Sequence, residues 1–281
     1  MVGGIKPERM NKGKNRASLA AIFALLFVVL VGFGCKMLSP GTNQGGNATS
    51  EPGSSTTSEG SGEPAEIGLC ANAWYPVGPN IERRYRIKYP NNMFPEKEYS
   101  EHFGDFTADG FMATMLFDSL TTKINWRCTA EGLFATQYNN SIDMRNLGTA
   151  NIDTLEASGV SFPAEDRWKT GEKWSATYRV KQTMRSGDGK VETESTGTVV
   201  QSGEIVAQET VTVPAGTFDA FKVRMATNLD MSINVNGMGA VPAKMNLETF
   251  AWFAKGKGMV KSSTDLLGKG AVVTEMMTFK E

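Results

Sequence analysis

Histidine occurs once in 281 residues and cysteine three times, and 29 lysines and arginines stand against 30 aspartates and glutamates. Each scarcity excludes something. With His102 alone, neither an imidazole-built metal site nor a Ser-His-Asp triad can be assembled. No S-x-x-K or G-x-S-x-G motif supplies another nucleophile. Without a basic excess, nucleic acid is a poor partner, because phosphate contacts need clustered Lys and Arg. The charge that exists is unevenly placed: Lys6, Arg9, Lys12, Lys14 and Arg16 against Glu8 make residues 1–34 basic and leave the remainder mildly acidic. Residues 39–66 contain no aromatic and no Leu, Ile, Val or Met. Such a stretch cannot bury enough surface to offset chain entropy, so residues 35–69 read as a disordered Ser/Thr/Gly-rich tether. A Gly/Ser-type coil of this length has a root-mean-square span of about 30 Å.

What is present begins with an uncharged stretch from Ala17 to Gly34 behind the basic head. This is the pattern of a signal peptide or membrane anchor over 1–34. As a helix the stretch is about 27 Å long, near the lower limit for a ~30 Å hydrocarbon layer, so length leaves cleavage and retention both open. Cys35 directly follows the small residue Gly34. Here the chain resembles a bacterial lipoprotein signal, in which such a cysteine is acylated and becomes the new N-terminus. Gly32 and Phe33 depart from the Leu and the Ala or Ser usual at those places. Ordinary cleavage and an uncut anchor are the alternatives, and all three deliver the rest of the chain outside the cytoplasm. Assigning Cys35 to lipid leaves Cys70 and Cys128 as an even pair in an oxidising compartment, where a disulfide is expected. Two unconnected buried thiols are the competing reading.

From Trp74 onward the hydrophobic pattern has period two, the mark of strands with one buried face. Tyr85, Ile87 and Tyr89 alternate with Arg84, Arg86 and Lys88; Trp174, Ala176, Tyr178 and Val180 alternate with Ser175, Thr177, Arg179 and Lys181. Turn signals at 186–189 and at Asn236-Gly237 predict hairpins. Further strands are expected at 110–117, 132–138, 204–213, 217–226, 258–264 and 271–279, while 151–158 looks weakly helical. The fold class is mostly β, a curved antiparallel sheet or half-barrel over 70–281. Gly78, Ile81, Tyr85 and Ile87 share their spacing with Gly171, Trp174, Tyr178 and Val180, and Trp126 with Gly132-Leu133 matches Trp252 with Gly258-Met259. This predicts two related β halves, 70–146 and 160–281.

The most specific run is V-P-A-G-T-F at 213–218, followed by W252-F-A-K-G-K-G-M-V-K261. These residues resemble a family of exported bacterial proteins, TapB-like, and the related domains that share both motifs. The resemblance implies a curved antiparallel sheet of the kind found in lipoprotein carriers. It brings no catalytic residues. Pro214 and Gly216 shape a turn, and Gly256 and Gly258 let a strand bend.

Three surfaces could carry chemistry. Glu96, Glu98, Glu101, Asp105 and Asp109 form an acidic cluster that could hold calcium or act as a carboxylate pair, although the spacing matches no EF-hand and a solvated surface is the simpler reading. Five tryptophans could stack on sugars, but at strand spacing they read as core. Met231, Met238 and Met245 fall in one apolar region, and methionine adapts to varied apolar partners, so they are the candidate ligand-binding residues against a background of ordinary core filling. No cofactor and no metal are expected. The resulting expectation is a non-catalytic lipoprotein of the cell envelope, held at a membrane through its N-terminal lipid or anchor. It would bind an apolar ligand or an envelope protein on a curved β sheet; the alternative is a structural or adhesive module of a surface assembly.

Overall fold

The alternation that marks two runs in the sequence extends through the molecule. The computed structural model describes residues 68–118, 120–138, 142–144, 148–186, 192–235, 239–265 and 268–281. The signal segment, Cys35, the tether up to residue 67 and Met238 lie outside the described residues. The strands are β1 Glu82–Lys88, β2 Lys97–Thr107, β3 Gly110–Phe117, β4 Leu120–Thr129, β5 Gly132–Ala135, β6 Ile142–Met144 and β7 Gly148–Gly159. Then follow β8 Phe162–Pro163, β9 Lys173–Ser186, β10 Glu192–Val213, β11 Gly216–Val235, β12 Ala240–Ala254, β13 Gly258–Asp265 and β14 Ala271–Lys280. The remaining described elements are three 3-10 turns of three residues each.

All fourteen strands belong to one antiparallel sheet, in the order β6-β7-β9-β10-β11-β12-β13-β14-β1-β2-β3-β4-β5-β8. The sheet curls until its two sides share one run of chain. Residues 148–159 pair with β9 down to Gly159 opposite Ala176. The run then crosses over: the Val160 amide donates to the Ser175 carbonyl at 2.8 Å, and the next amide, Ser161, donates to Leu133 of β5 at 2.8 Å. Phe162 and Pro163 then pair with Leu133 and Gly132. Two glycines make the crossing sterically feasible. Gly159 sits at φ +104° with an added Cβ 2.2 Å from the Ser175 carbonyl, and Gly132 at φ +137° with one 2.1 Å from the Phe162 carbonyl.

The segment 151–158, expected to have helical character, is instead the middle of β7. Its residues Thr154, Glu156, Ala157 and Ser158 pair in register with β9, with a bulge between Thr154 and Glu156. Tertiary pairing overrides the local preference of Leu, Glu and Ala.

The repeat read from the sequence has a counterpart in the connectivity. β1 to β5 and β9 to β13 are both five-strand meanders, Trp126 and Trp252 lie on the fourth strand of each, and Gly132 and Gly258 open the fifth. Run 148–163 bridges β5 and β9, just as β14 bridges β13 and β1. The two sets form one continuous sheet, and the stretch left between the two expected halves contains β7.

Side chains from β2 to β5 and β8 to β12 meet in one core, including Phe103, Phe111, Trp126, Leu133, Phe162, Trp174, Ile205, Val223 and Phe253. Trp74, Tyr75 and Val77, ahead of β1, enter the same core. A second cluster forms where the β10–β11 turn leans on the sheet: Val211, Val213, Ala220, Trp252, Val260, Met276 and Tyr85. The Ala215 amide there donates to the Met276 carbonyl at 3.1 Å.

Candidate functional site

The end of the sheet nearest the start of the domain is filled with rings. Tyr75 stacks on Phe162 with centroids 4.8 Å apart, Trp74 on Trp168 at 5.3 Å, and Phe111 on Trp126 at 5.8 Å. Cys70, fully buried, is disulfide-bonded to Cys128 on β4 with Cα atoms 5.0 Å apart, as the cysteine count predicted. Four of the five tryptophans, 126, 168, 174 and 252, are buried, and Trp74 is half-buried, so these rings serve the core.

Among these rings lies a charged group that pattern reading passed over. Arg83 is 0% exposed. It donates from Nη1 to Glu101 Oε2 at 2.8 Å, from Nε to the Lys257 carbonyl at 2.8 Å, and from Nη2 to the Pro76 carbonyl. Tyr75 Oη donates to the other Glu101 oxygen at 2.8 Å. The guanidinium also lies over the rings of Phe103 and Tyr75, 4.9 and 5.1 Å from their centroids. Burial opposes the charge on Arg83, but the Glu101 carboxylate and the neighbouring Tyr85 and Tyr75 outweigh it and raise its pKa. Burial, reinforced by Glu101, pushes the Tyr75 and Tyr85 phenols far above their ordinary range. Burial does the same at Tyr99, with help from Tyr85.

Three of the five carboxylates of the acidic cluster stand in ion pairs. Glu101 meets Arg83, Glu98 meets Arg84 at 3.2 Å, and Glu96 meets Arg86 at 3.7 Å, because β2 pairs with the arginine-bearing β1. Asp109 instead accepts a weak bond from Thr107 Oγ1 at 3.4 Å. Among the described residues, no group of three His, Cys, Asp or Glu is placed to hold a metal ion. His102 is half-buried, with Nε2 2.9 Å from Ser100 Oγ.

At the other end the long strands β9 to β12 carry an apolar inner face arranged in cross-strand rows. Residues directly opposite on antiparallel neighbours share a face. Thus Val180, Gly197, Met231 and Ala243 form one row, and Tyr178, Val199, Leu229 and Met245 form the row nearer the core. The structure brings Met231 and Met245 together as diagonal neighbours. Met231 is 5% exposed and occupies the space a side chain at Gly197 would need, an added Cβ there lying 2.7 Å from its sulfur. Met245 is half-buried. The β12 end of this face is open: Val241 is 63% exposed, and among the described residues the pairing with β13 reaches β12 only as far as Thr249. A depression of about 530 Å³ on the same strands is lined by Val200, Leu229 and Met245 as well as by Thr198, Asn228, Asp230, Lys244 and Asn246.

The fold and this face define a ring-filled, disulfide-pinned β module with an apolar surface at one end. The chain belongs to the DUF3108-like family, whose model matches residues 118–269, more than half of the 281. No curated protein is detectably similar in sequence. Two crystal structures resemble it in fold. One is a Bacteroides fragilis protein described as exported and of YmcC-like fold, with 14% identity, a TM-score of 0.42, and coverage of 75% of this chain and all of that one. The other is a Parabacteroides distasonis protein described as a lipoprotein, with 13% identity, a TM-score of 0.44, and coverage of 74% and 99%.

Proposed function

We propose that this chain is a non-catalytic, extracytoplasmic lipoprotein of the cell envelope, tethered through Cys35, which binds an apolar ligand on the inner face of β9 to β12. The observation that carries the reading is a pair of adjacent apolar rows, Tyr178 to Met245 and Val180 to Ala243, that lead to an exposed border at Val241. Exposed apolar surface at the end of a rigid sheet is costly unless something covers it. The export signal, the tether and the buried Cys70–Cys128 disulfide support a location beyond the cytoplasmic membrane. The TapB-like motif residues support the same placement.

The test is to purify the full-length protein from membranes in detergent and to analyse its solvent extract by mass spectrometry. An apolar compound recovered in a fixed ratio to protein is the expected result. An extract without one overturns the ligand reading. Stable co-purification of envelope proteins in that case would favour the structural or adhesive module instead, which the dense ring packing of the core also suits.

A further inference from the structure

We infer that the free edge of β12 is a strand-addition site that takes an extended segment of a partner protein, independently of whether the inner rows hold an apolar ligand. Among the described residues, Ala240 to Glu248 pair with β11 alone, and β13 joins β12 only from Thr249 onward. At ~3.4 Å per residue this one-sided run is about 30 Å long. Pro242 fixes which backbone groups face outward. It stands opposite Ser232 in a ladder without register shifts, and proline has no N–H to give. The odd-numbered residues of the run therefore bond to β11, and the even-numbered ones face away from it. Phe250, next in the even series, does meet β13, opposite Ser263. The outward row is the Pro242 carbonyl followed by the amides and carbonyls of Lys244, Asn246 and Glu248.

Alternating main-chain donors and acceptors are matched by another extended chain. The side chains of the run say which kind. Pro242, Lys244, Asn246 and Glu248 are exposed, whereas Ala243, Met245 and Leu247 on the other face are only half-buried and Val241 is 63% exposed. Apolar residues of an added strand would cover that second face. On the first, Lys244 is 75% exposed although it reaches Asp230 at 2.9 Å, so an acid opposite Lys244 and a base opposite Glu248 complete cross-strand pairs. Thr264, opposite Thr249, closes one end of the slot. A second copy of β12, paired two-fold about Met245, would bring its own Val241 into the place of Thr264, so the occupant is a segment that begins there. Running antiparallel to β12, it carries a base first and an acid four residues later, with apolar residues between polar ones.

The experiment is fluorescence anisotropy of the labelled, N-acetylated peptide K-V-T-V-E-V-T-V added to the full-length protein in detergent. Saturable binding is expected, several-fold weaker for the charge-swapped E-V-T-V-K-V-T-V. N-methylation of the third and fifth peptide residues, whose amides would face β12, should weaken binding at least tenfold, while methylation of the second and fourth should change it little. This comparison does not depend on how any variant folds. Asn246→Pro, which removes an outward amide as Pro242 already does, should keep the urea midpoint and weaken the peptide about tenfold. Equal loss from both methylated peptides, or full binding by Asn246→Pro, overturns strand addition. Absence of binding to the wild type also overturns it and leaves Pro242 and Lys244 as guards of a bare edge. Concentration-dependent dimerisation that Asn246→Pro abolishes would make the occupant a second copy and overturn the partner.

Discussion

Arg83 and Glu101 form an ion pair inside the ring-filled end of the sheet, 2.8 Å apart, with the arginine side chain wholly buried and the glutamate side chain 11% exposed. The pair connects parts of the chain that no strand pairing joins. Through Arg83 it reaches the Pro76 carbonyl ahead of β1 and the Lys257 carbonyl in the β12–β13 turn, and through Glu101 it reaches the Tyr75 hydroxyl. Gly258 contributes by having no side chain, since an added Cβ would lie 3.1 Å from the guanidinium.

Removing one member leaves the other charged in a low-dielectric site, which costs about 3–5 kcal/mol in comparable pairs. Glu101→Ala should therefore lower unfolding free energy by about 3 kcal/mol in urea titrations. The double variant Arg83→Met, Glu101→Leu should lose clearly less than the sum of the two single variants, because neither charge is then stranded.

The Cys70–Cys128 disulfide closes a loop with a sequence separation of 58, for which chain entropy predicts about 4 kcal/mol. Reducing it, or replacing both residues with serine, should lower stability by that order. It should also change the emission of Trp74 and Trp168, because Trp74 stacks on Trp168 close to the disulfide-linked segment. Denaturant titrations with and without reductant, followed by tryptophan emission, measure both.

How far the sequence reveals these features depends on which rule governs each residue. The inward parity of Tyr85, Ile87 and Tyr89 is plain from alternation, and Arg83 shares that parity. The expectation that arginine stays exposed conceals it, and only the matching glutamate on the next strand, in register at 101, could have signalled it. β10 and β11 run well beyond the strands expected at 204–213 and 217–226, and Gly197 and Gly203, both inside β10, do not interrupt it. They are instead clearances, Gly203 for the Trp174 ring and Gly197 for Met231. The seam 159–163 is illegible because a strand that changes partners leaves no periodic trace. Of the candidate ligand residues, Met231 and Met245 do share a face.

Five tyrosines, 75, 85, 99, 138 and 178, have phenol pKa values raised chiefly by burial, that of Tyr138 to about 12. A folded pKa above the unfolded value of about 10 means the folded chain keeps a proton that the unfolded chain releases. Stability from these groups is thus complete below pH 10 and falls as pH rises beyond it. Urea midpoints should be level between pH 8 and 9.5 and drop steeply by pH 11. Absorbance at 295 nm should show Tyr75, Tyr85 and Tyr99 ionising only as the chain unfolds.

Closure of the sheet rests on two glycines in conformations an L-side chain resists. Gly159→Ala would set a methyl group 2.2 Å from the Ser175 carbonyl at φ +104°. Overpacking and backbone strain together should cost about 3 kcal/mol. The loss should be local before it is global. Amide hydrogen exchange should accelerate first at Val160 and Ser161, whose bonds to β9 and β5 form the seam, while amides of the β10–β11 ladder keep their protection.

If Cys35 carries lipid, that acyl group is what attaches the chain to a membrane. Cys35→Ser should abolish the lipid mass on the N-terminal peptide and shift the chain out of the detergent phase on phase separation. A variant that keeps its membrane attachment in full would favour an uncut helix over residues 17–34.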